Sequence, residues 1–129
     1  IMSLSGVFRL KKSYQFNYVY RKGKTVSDDF LILHYAKNNT GKPKVGLSVP
    51  RKYGKAAARN LFKRRMRSAF AELLPETDGR YNYVLTPRSE ASGCSYGELF
   101  RSLGILLRRA EGERKPRKAN VLTVGEDEG

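Results

Sequence analysis

Apolar residues recur along this chain in two rhythms, and the changes from one to the other mark its elements. From Ser13 onward, Phe16, Val19 and Tyr20 repeat at helical spacing. This predicts a short helix capped by Ser13, running to about Lys22, with Gly23 at the position just past its end. Thr25-Val26 and Phe30-Leu31-Ile32-Leu33-His34-Tyr35 predict two strands. The second is apolar without strict alternation, as expected of a strand that is central or covered on both faces. The turn formers Asn38-Asn39-Thr40-Gly41-Lys42-Pro43 separate it from a third strand over residues 44–49, which Pro50 ends. A helical rhythm returns from about Lys55 and stops before Pro75. Residues 76–79 then form a turn and residues 81–86 a fourth strand. Finally Tyr96, Leu99, Phe100, Leu103, Leu106, Leu107 and Ala110 fall on one face of a long last helix. The expected order is α-β-β-β-α-β-α. That is an α+β fold, a two-layer α-β sandwich with helices on a mixed sheet of about four strands, and no internal repeat is present.

The chain has 129 residues, enough for one domain with a real core. The folded part is expected over residues 8–111, after an N-terminal extension over 1–7. A mobile tail is expected over 112–129, basic at Arg114 to Lys118 and acidic at Glu126 to Glu128. Ile1, ahead of Met2, is expected to be a cloning remnant. No apolar stretch approaches the roughly 18 residues of a membrane span and no signal peptide is evident, so a soluble cytoplasmic protein is expected. Cys94 and His34 are the sole residues of their types. That excludes an intrachain disulfide, a CxxC site and a zinc cluster.

Charge sharpens the picture. The formal net charge is +14, and no acidic residue occurs between Asp29 and Glu72. Within that gap, eight of the seventeen residues from Arg51 to Arg67 are Lys or Arg. Like charges this dense oppose compaction unless an anion meets them. They are also patterned: at about 100° per residue, Arg59, Asn60, Lys63, Arg64 and Arg67 share an arc of about 140°, while Phe62, Met66, Ala69, Phe70 and Leu73 fall on the adjoining arc. A face built for solubility alone would intersperse carboxylates at i±4, and none is present. A membrane surface fits less well, because the helix lacks interfacial Trp. The expected partner is a nucleic acid, with Gly54 allowing backbone to approach a phosphate at the helix start.

Candidate chemistry is sparse. Acidic residues gather in turns and the tail, so no strand carboxylates are available for metal-assisted phosphodiester cleavage. A lone His34 in an apolar strand is a poor catalytic base, and no complete phosphate loop surrounds Gly54-Lys55. No catalytic residue and no metal ligand are therefore assigned. The aromatic residues are more informative. Phe16 and Tyr20 share a helix face, and His34 and Tyr35 sit late on the second strand, where a groove between helix and sheet could hold stacked bases of a single strand. Phe16 and Tyr20 could equally be core.

The string Lys52-x-Gly54-x-Ala56-Ala57-x-Arg59-Asn60-x-x-Lys63-Arg64-x-x-Arg67 resembles the signature of the bacterial ribonuclease P protein component. Leu10-Lys11-Lys12, Phe16, Val19-Tyr20 and Gly23, together with Val45-Gly46-Leu47-Ser48-Val49, extend that resemblance over residues 8–111. The resemblance implies a small basic subunit that binds a catalytic RNA, the pair removing the 5′ leader from precursor tRNA. In that family the RNA, with its magnesium ions, performs the hydrolysis, and magnesium is held mainly by the RNA. The implied fold is that of the second domain of ribosomal protein S5, with a left-handed βαβ crossover leading into the signature helix. Carried over by position, Lys52, Lys55, Arg59, Asn60, Lys63, Arg64 and Arg67 would contact the catalytic RNA. Phe16 and Tyr20 would line the leader cleft with either His34 or Tyr35, since neighbours on a strand face opposite ways. The implied partners are the catalytic RNA and precursor tRNA, with no membrane and no protein partner. The alternative is a ribosome-associated or RNA-chaperone protein that uses the same helix on structured RNA without processing it. A duplex DNA binder is a weaker alternative.

Overall fold

The structure is a computed structural model and describes residues 6–113. A 3-10 turn (Gly6–Phe8) precedes α1 (Ser13–Lys22), β1 (Lys24–Ser27), β2 (Leu31–Lys37) and β3 (Val45–Leu47). A second 3-10 turn (Arg51–Tyr53) leads into α2 (Ala56–Leu73), and β4 (Tyr81–Pro87) and α3 (Tyr96–Glu113) complete the fold. The helices and strands follow the expected order. Helix α3 continues through Glu113, so residues 112 and 113 belong to it rather than to a tail. The rest of the expected tail and residues 1–5 of the expected extension lie outside the described residues.

The sheet runs β1-β2-β4-β3, with β1 and β4 antiparallel to β2 and with β3 parallel to β4. Helix α2 is the connection between the two parallel strands. On one face, Leu31, Leu33 and Tyr35 of β2 and Tyr81, Tyr83 and Leu85 of β4 pack with Phe62, Met66 and Phe70 of α2 and Leu99, Leu103 and Leu106 of α3. This sheet and helix pair form the two main layers. The short α1 lies across the other face, where Leu10, Val19, Ala36 and Val84 make a smaller core with Phe16 packed against it. Helices on both faces explain why β2 reads as an uninterrupted apolar run.

Two details at the ends of α1 differ from expectation in their cause. Lys12, not Ser13, precedes the first helical residue, and the Gln15 side-chain oxygen reaches back to accept the Lys11 and Lys12 amides at 2.7 and 2.9 Å. At the other end Gly23 is extended rather than left-handed, with φ of −97°. Its role is proximity: a Cβ there would lie 2.4 Å from the Tyr35 carbonyl oxygen and 2.5 Å from that of Val19. Glycine lets the helix end against β2.

The β1–β2 corner is held from three sides. The Asp28 carboxylate accepts the Phe30 and Leu31 amides at 2.8 and 2.9 Å and the hydroxyl of buried Ser102 on α3. Arg88 donates to the Asp28 carbonyl at 2.8 Å. Arg109 donates to that of Ser27 at 3.1 Å. Among the described residues, no helix is long and apolar enough to cross a membrane.

Candidate nucleic-acid interface

Helix α2 divides as its sequence divides. Phe62, Met66, Ala69, Phe70 and Leu73 are buried, Asn60 and Arg64 are exposed, and Arg59, Lys63 and Arg67 are half-buried at the margin. Among the described residues, no carboxylate lies within ion-pair distance of Arg59, Lys63, Arg64 or Arg67. Arg59 anchors the helix entrance, its Nε donating to the Gly54 carbonyl at 3.1 Å. Lys52 and Lys55 stand exposed on either side of that glycine. The packed face makes the charged one rigid, so cations are presented at fixed spacing.

Lys63 and Arg67 also reach the edge of the sheet. With Arg9, Lys11, Phe16 and Gly46 they border a hollow of about 190 Å³ between α2, β3 and the start of α1. Burial, with Arg9 close by, pulls the Arg67 guanidinium below its usual range, as expected where cations converge. Phe16 closes the floor of this hollow over Gly46.

Further along α1, the Tyr20 ring stands edge-on to the imidazole of His34, with centroids 5.0 Å apart. The Thr25 hydroxyl lies 3.0 Å from His34 Nδ1 and holds that ring from β1. Burial lowers the His34 pKa, which favours the neutral imidazole. The strand parity left open above is resolved here: His34 faces α1, whereas Tyr35 is 2% exposed and points into the main core against Tyr81. Tyr35 is therefore a packing residue and does not line the groove. On the groove side, Ile32 sits opposite Thr86 in the β2–β4 register. Both border a hollow of about 560 Å³ whose rim carries Lys52 and Arg88. One open face thus runs from Tyr20 and His34 across Ile32 and Thr86 to two cations.

The Glu90 carboxylate also lines the larger hollow, beside Lys52 and Arg88. Among the described residues, no three of His, Cys, Asp and Glu converge on a point where an ion could be held.

Residues 4–111 match the family described as Ribonuclease P. The chain belongs to the ribonuclease P protein family. The ribonuclease P protein component of Geobacillus thermodenitrificans is 36% identical over 111 residues, spanning 84% of this chain and 90% of that one. The solved ribonuclease P protein of Staphylococcus aureus superposes with a TM-score of 0.75 at 26% identity, covering 81% of this chain and 95% of that one. That of Thermotoga maritima gives 0.73 at 27%, covering 78% and 96%. As a family member the chain is the protein subunit of ribonuclease P, the ribonucleoprotein that matures tRNA 5′ ends.

Structure therefore brings Phe16, Tyr20 and His34 to one face of the sheet and sets the α2 arc beside it, while removing Tyr35. Ile32, Thr86 and Arg88 join that face without having been singled out from sequence. Ile32 and Thr86 carried a faint signal, since each shares the strand parity of the groove-facing residue opposite or beside it. Arg88 had none.

Proposed function

We propose that the α2 arc of Arg59, Asn60, Lys63, Arg64 and Arg67, with Lys52 and Lys55 at its entrance, binds the phosphate backbone of the catalytic ribonuclease P RNA. The groove of Phe16, Tyr20 and His34 takes the unpaired 5′ leader of precursor tRNA. The observation that carries this reading is the shared hollow in which Phe16 meets Lys63 and Arg67. A strand lying on the aromatic groove would there be next to whatever the basic arc binds. Phosphate contacts from a rigid helix set register without reading sequence. Stacking on aromatic side chains holds unpaired bases of any identity. Together they suit a substrate whose leaders differ while its body is shared.

In this reading the protein supplies binding and no step of the chemistry. Its cations lower the repulsion between two polyanions, and by doing so favour magnesium binding, which rests with the RNA. The site of action is the cytoplasm, where precursor tRNA is made. The test is cleavage of a 5′-labelled precursor at low magnesium by the protein alone, by a bacterial ribonuclease P RNA alone and by the two together. Cleavage at the mature 5′ end chiefly in the mixture is expected. Cleavage by the protein alone, or no stimulation by a folded protein that still binds RNA, would overturn it.

A further inference from the structure

The groove uses only one flank of α1. On the opposite flank stand Tyr14 and Tyr18, 69% and 42% exposed, in a helix whose interior is filled by Val19 and Phe16. At 100° per residue, Tyr14, Tyr18 and Arg21 fall within about 60° of one another, and their stripe is about 160° from the Phe16–Tyr20 flank. Neither tyrosine contributes to either core cluster. Two large rings kept in water one turn apart bring no stability to the monomer.

Charge indicates what would cover them. No acidic residue precedes Asp28 in the whole chain, while Lys11, Lys12, Arg21, Lys22 and Lys24 surround the stripe. A second copy of a chain with net charge +14 would be repelled here, as would any basic partner. Exposed aromatic rings interleaved with cations are the arrangement that stacks the bases of an unpaired strand and neutralises its phosphates.

We propose that Tyr14 and Tyr18 form a second stacking platform for single-stranded RNA, occupied by leader nucleotides upstream of those in the groove. The inference rests on the groove reading in one respect: the strand must already be on α1. From there it crosses about 10–12 Å, the width of a helix, to reach the outer flank. Arg21 and Lys22, in the last turn, sit where the strand would pass. Stacking tolerates any base, so the platform would add affinity for long leaders without restricting their sequence.

The test uses holoenzyme reconstituted from the full chain and a bacterial ribonuclease P RNA. Affinity is measured for mature tRNA, for a precursor whose leader ends in the groove, and for one whose leader runs well beyond it. The Tyr14→Ala/Tyr18→Ala variant should lose roughly fivefold or more in affinity per stacked base, for the long leader alone. Tyr14→Phe/Tyr18→Phe, which keeps both rings, should retain wild-type affinity. An unchanged long-leader affinity would overturn the proposal. So would an equal loss for all three ligands, which would place the tyrosines against the catalytic RNA or the tRNA body. Failure of the groove reading is a separate outcome: Phe16→Ala/Tyr20→Ala would then leave the advantage of the short leader over mature tRNA intact.

Discussion

Phe16 lies so close over Gly46 that a β-carbon on the glycine would come 2.5 Å from both Cε2 and Cζ of the ring. The edge strand β3 and helix α1 therefore meet through a side chain on one and its absence on the other. Gly46→Ala must displace Phe16 or bend β3, at a cost of about 1–3 kcal/mol typical of overpacking. It should also weaken binding of leader-bearing precursor while leaving mature tRNA unaffected. Chemical denaturation and the two binding assays, run side by side, check both halves.

Arg59 and Arg64 belong to the same arc and differ in what they touch. Arg59 holds the Gly54 carbonyl, whereas Arg64 is exposed. Each change to Ala should reduce the salt dependence of RNA-subunit binding by roughly one unit of slope. Arg59→Ala should in addition destabilise the protein by about 1 kcal/mol, the usual worth of a hydrogen bond. Titrations across salt concentrations would expose the common effect, and thermal melting of the free protein the difference. A slope unchanged for Arg64→Ala would mean that the side chain stays in solvent in the complex.

His34 and Tyr35, adjacent in sequence, should separate cleanly on substitution. Tyr35→Ala empties a position in the main core and should cost about 3–5 kcal/mol with no preference between substrates. His34→Ala should act on the leader-bearing precursor. Its pH signature is also distinct. Burial lowers the folded-state pKa of His34. The unfolded chain thus binds the proton more readily, and stability falls as pH drops from the ordinary histidine range toward the lowered value. His34→Gln should remove that part of the pH dependence, measurable from denaturation midpoints at a series of pH values.

Asp28 gives the opposite case. Burial alone would raise its carboxyl, but the Ser102 hydroxyl, the Phe30 and Leu31 amides and the Arg109 charge together hold it below its ordinary value. Its contribution is present above the ordinary carboxylate range and is lost as pH falls through that range to the lowered value. Ser102→Ala removes one donor to a charged group at a buried position, for about 1.5–3 kcal/mol. The acid unfolding midpoint should move to higher pH, as followed by circular dichroism.

Where a pattern has one periodicity and one buried face, sequence and structure coincide. The α2 arc is legible because its buried residues, from Phe62 to Leu73, stay in helical phase for about three turns. Strand β2 is harder, because helices cover both of its faces and leave no alternation to tell His34 from Tyr35. The far end of the groove was only faintly legible, for another reason. Ile32 and Thr86 are neighbours only through the pairing of β2 with β4, which no local pattern encodes. The helix caps show a third case: Ser13 had the right chemistry for a cap, but Gln15 reached back to Lys12 and moved the boundary by one residue. Family resemblance, carried by the Arg59-Asn60-x-x-Lys63-Arg64 string, narrowed to a particular RNA the partner that charge and patterning left as a nucleic acid.

The segment before α1 bridges to β3 through Arg9 and Val45, and the Leu10 amide donates to the Val45 carbonyl at 2.9 Å. It thereby shields the open side of the sheet with Leu10 turned into the small core and Arg9 at the hollow. Alternation along this strap means that losing one residue would exchange the two side chains, driving a cation into apolar packing and a leucine to the cationic hollow. The same slip would expose an unpaired strand margin to other chains. The length of this strap is therefore a stricter requirement than the identity of its residues, and a one-residue deletion should disturb the fold more than a substitution at either position.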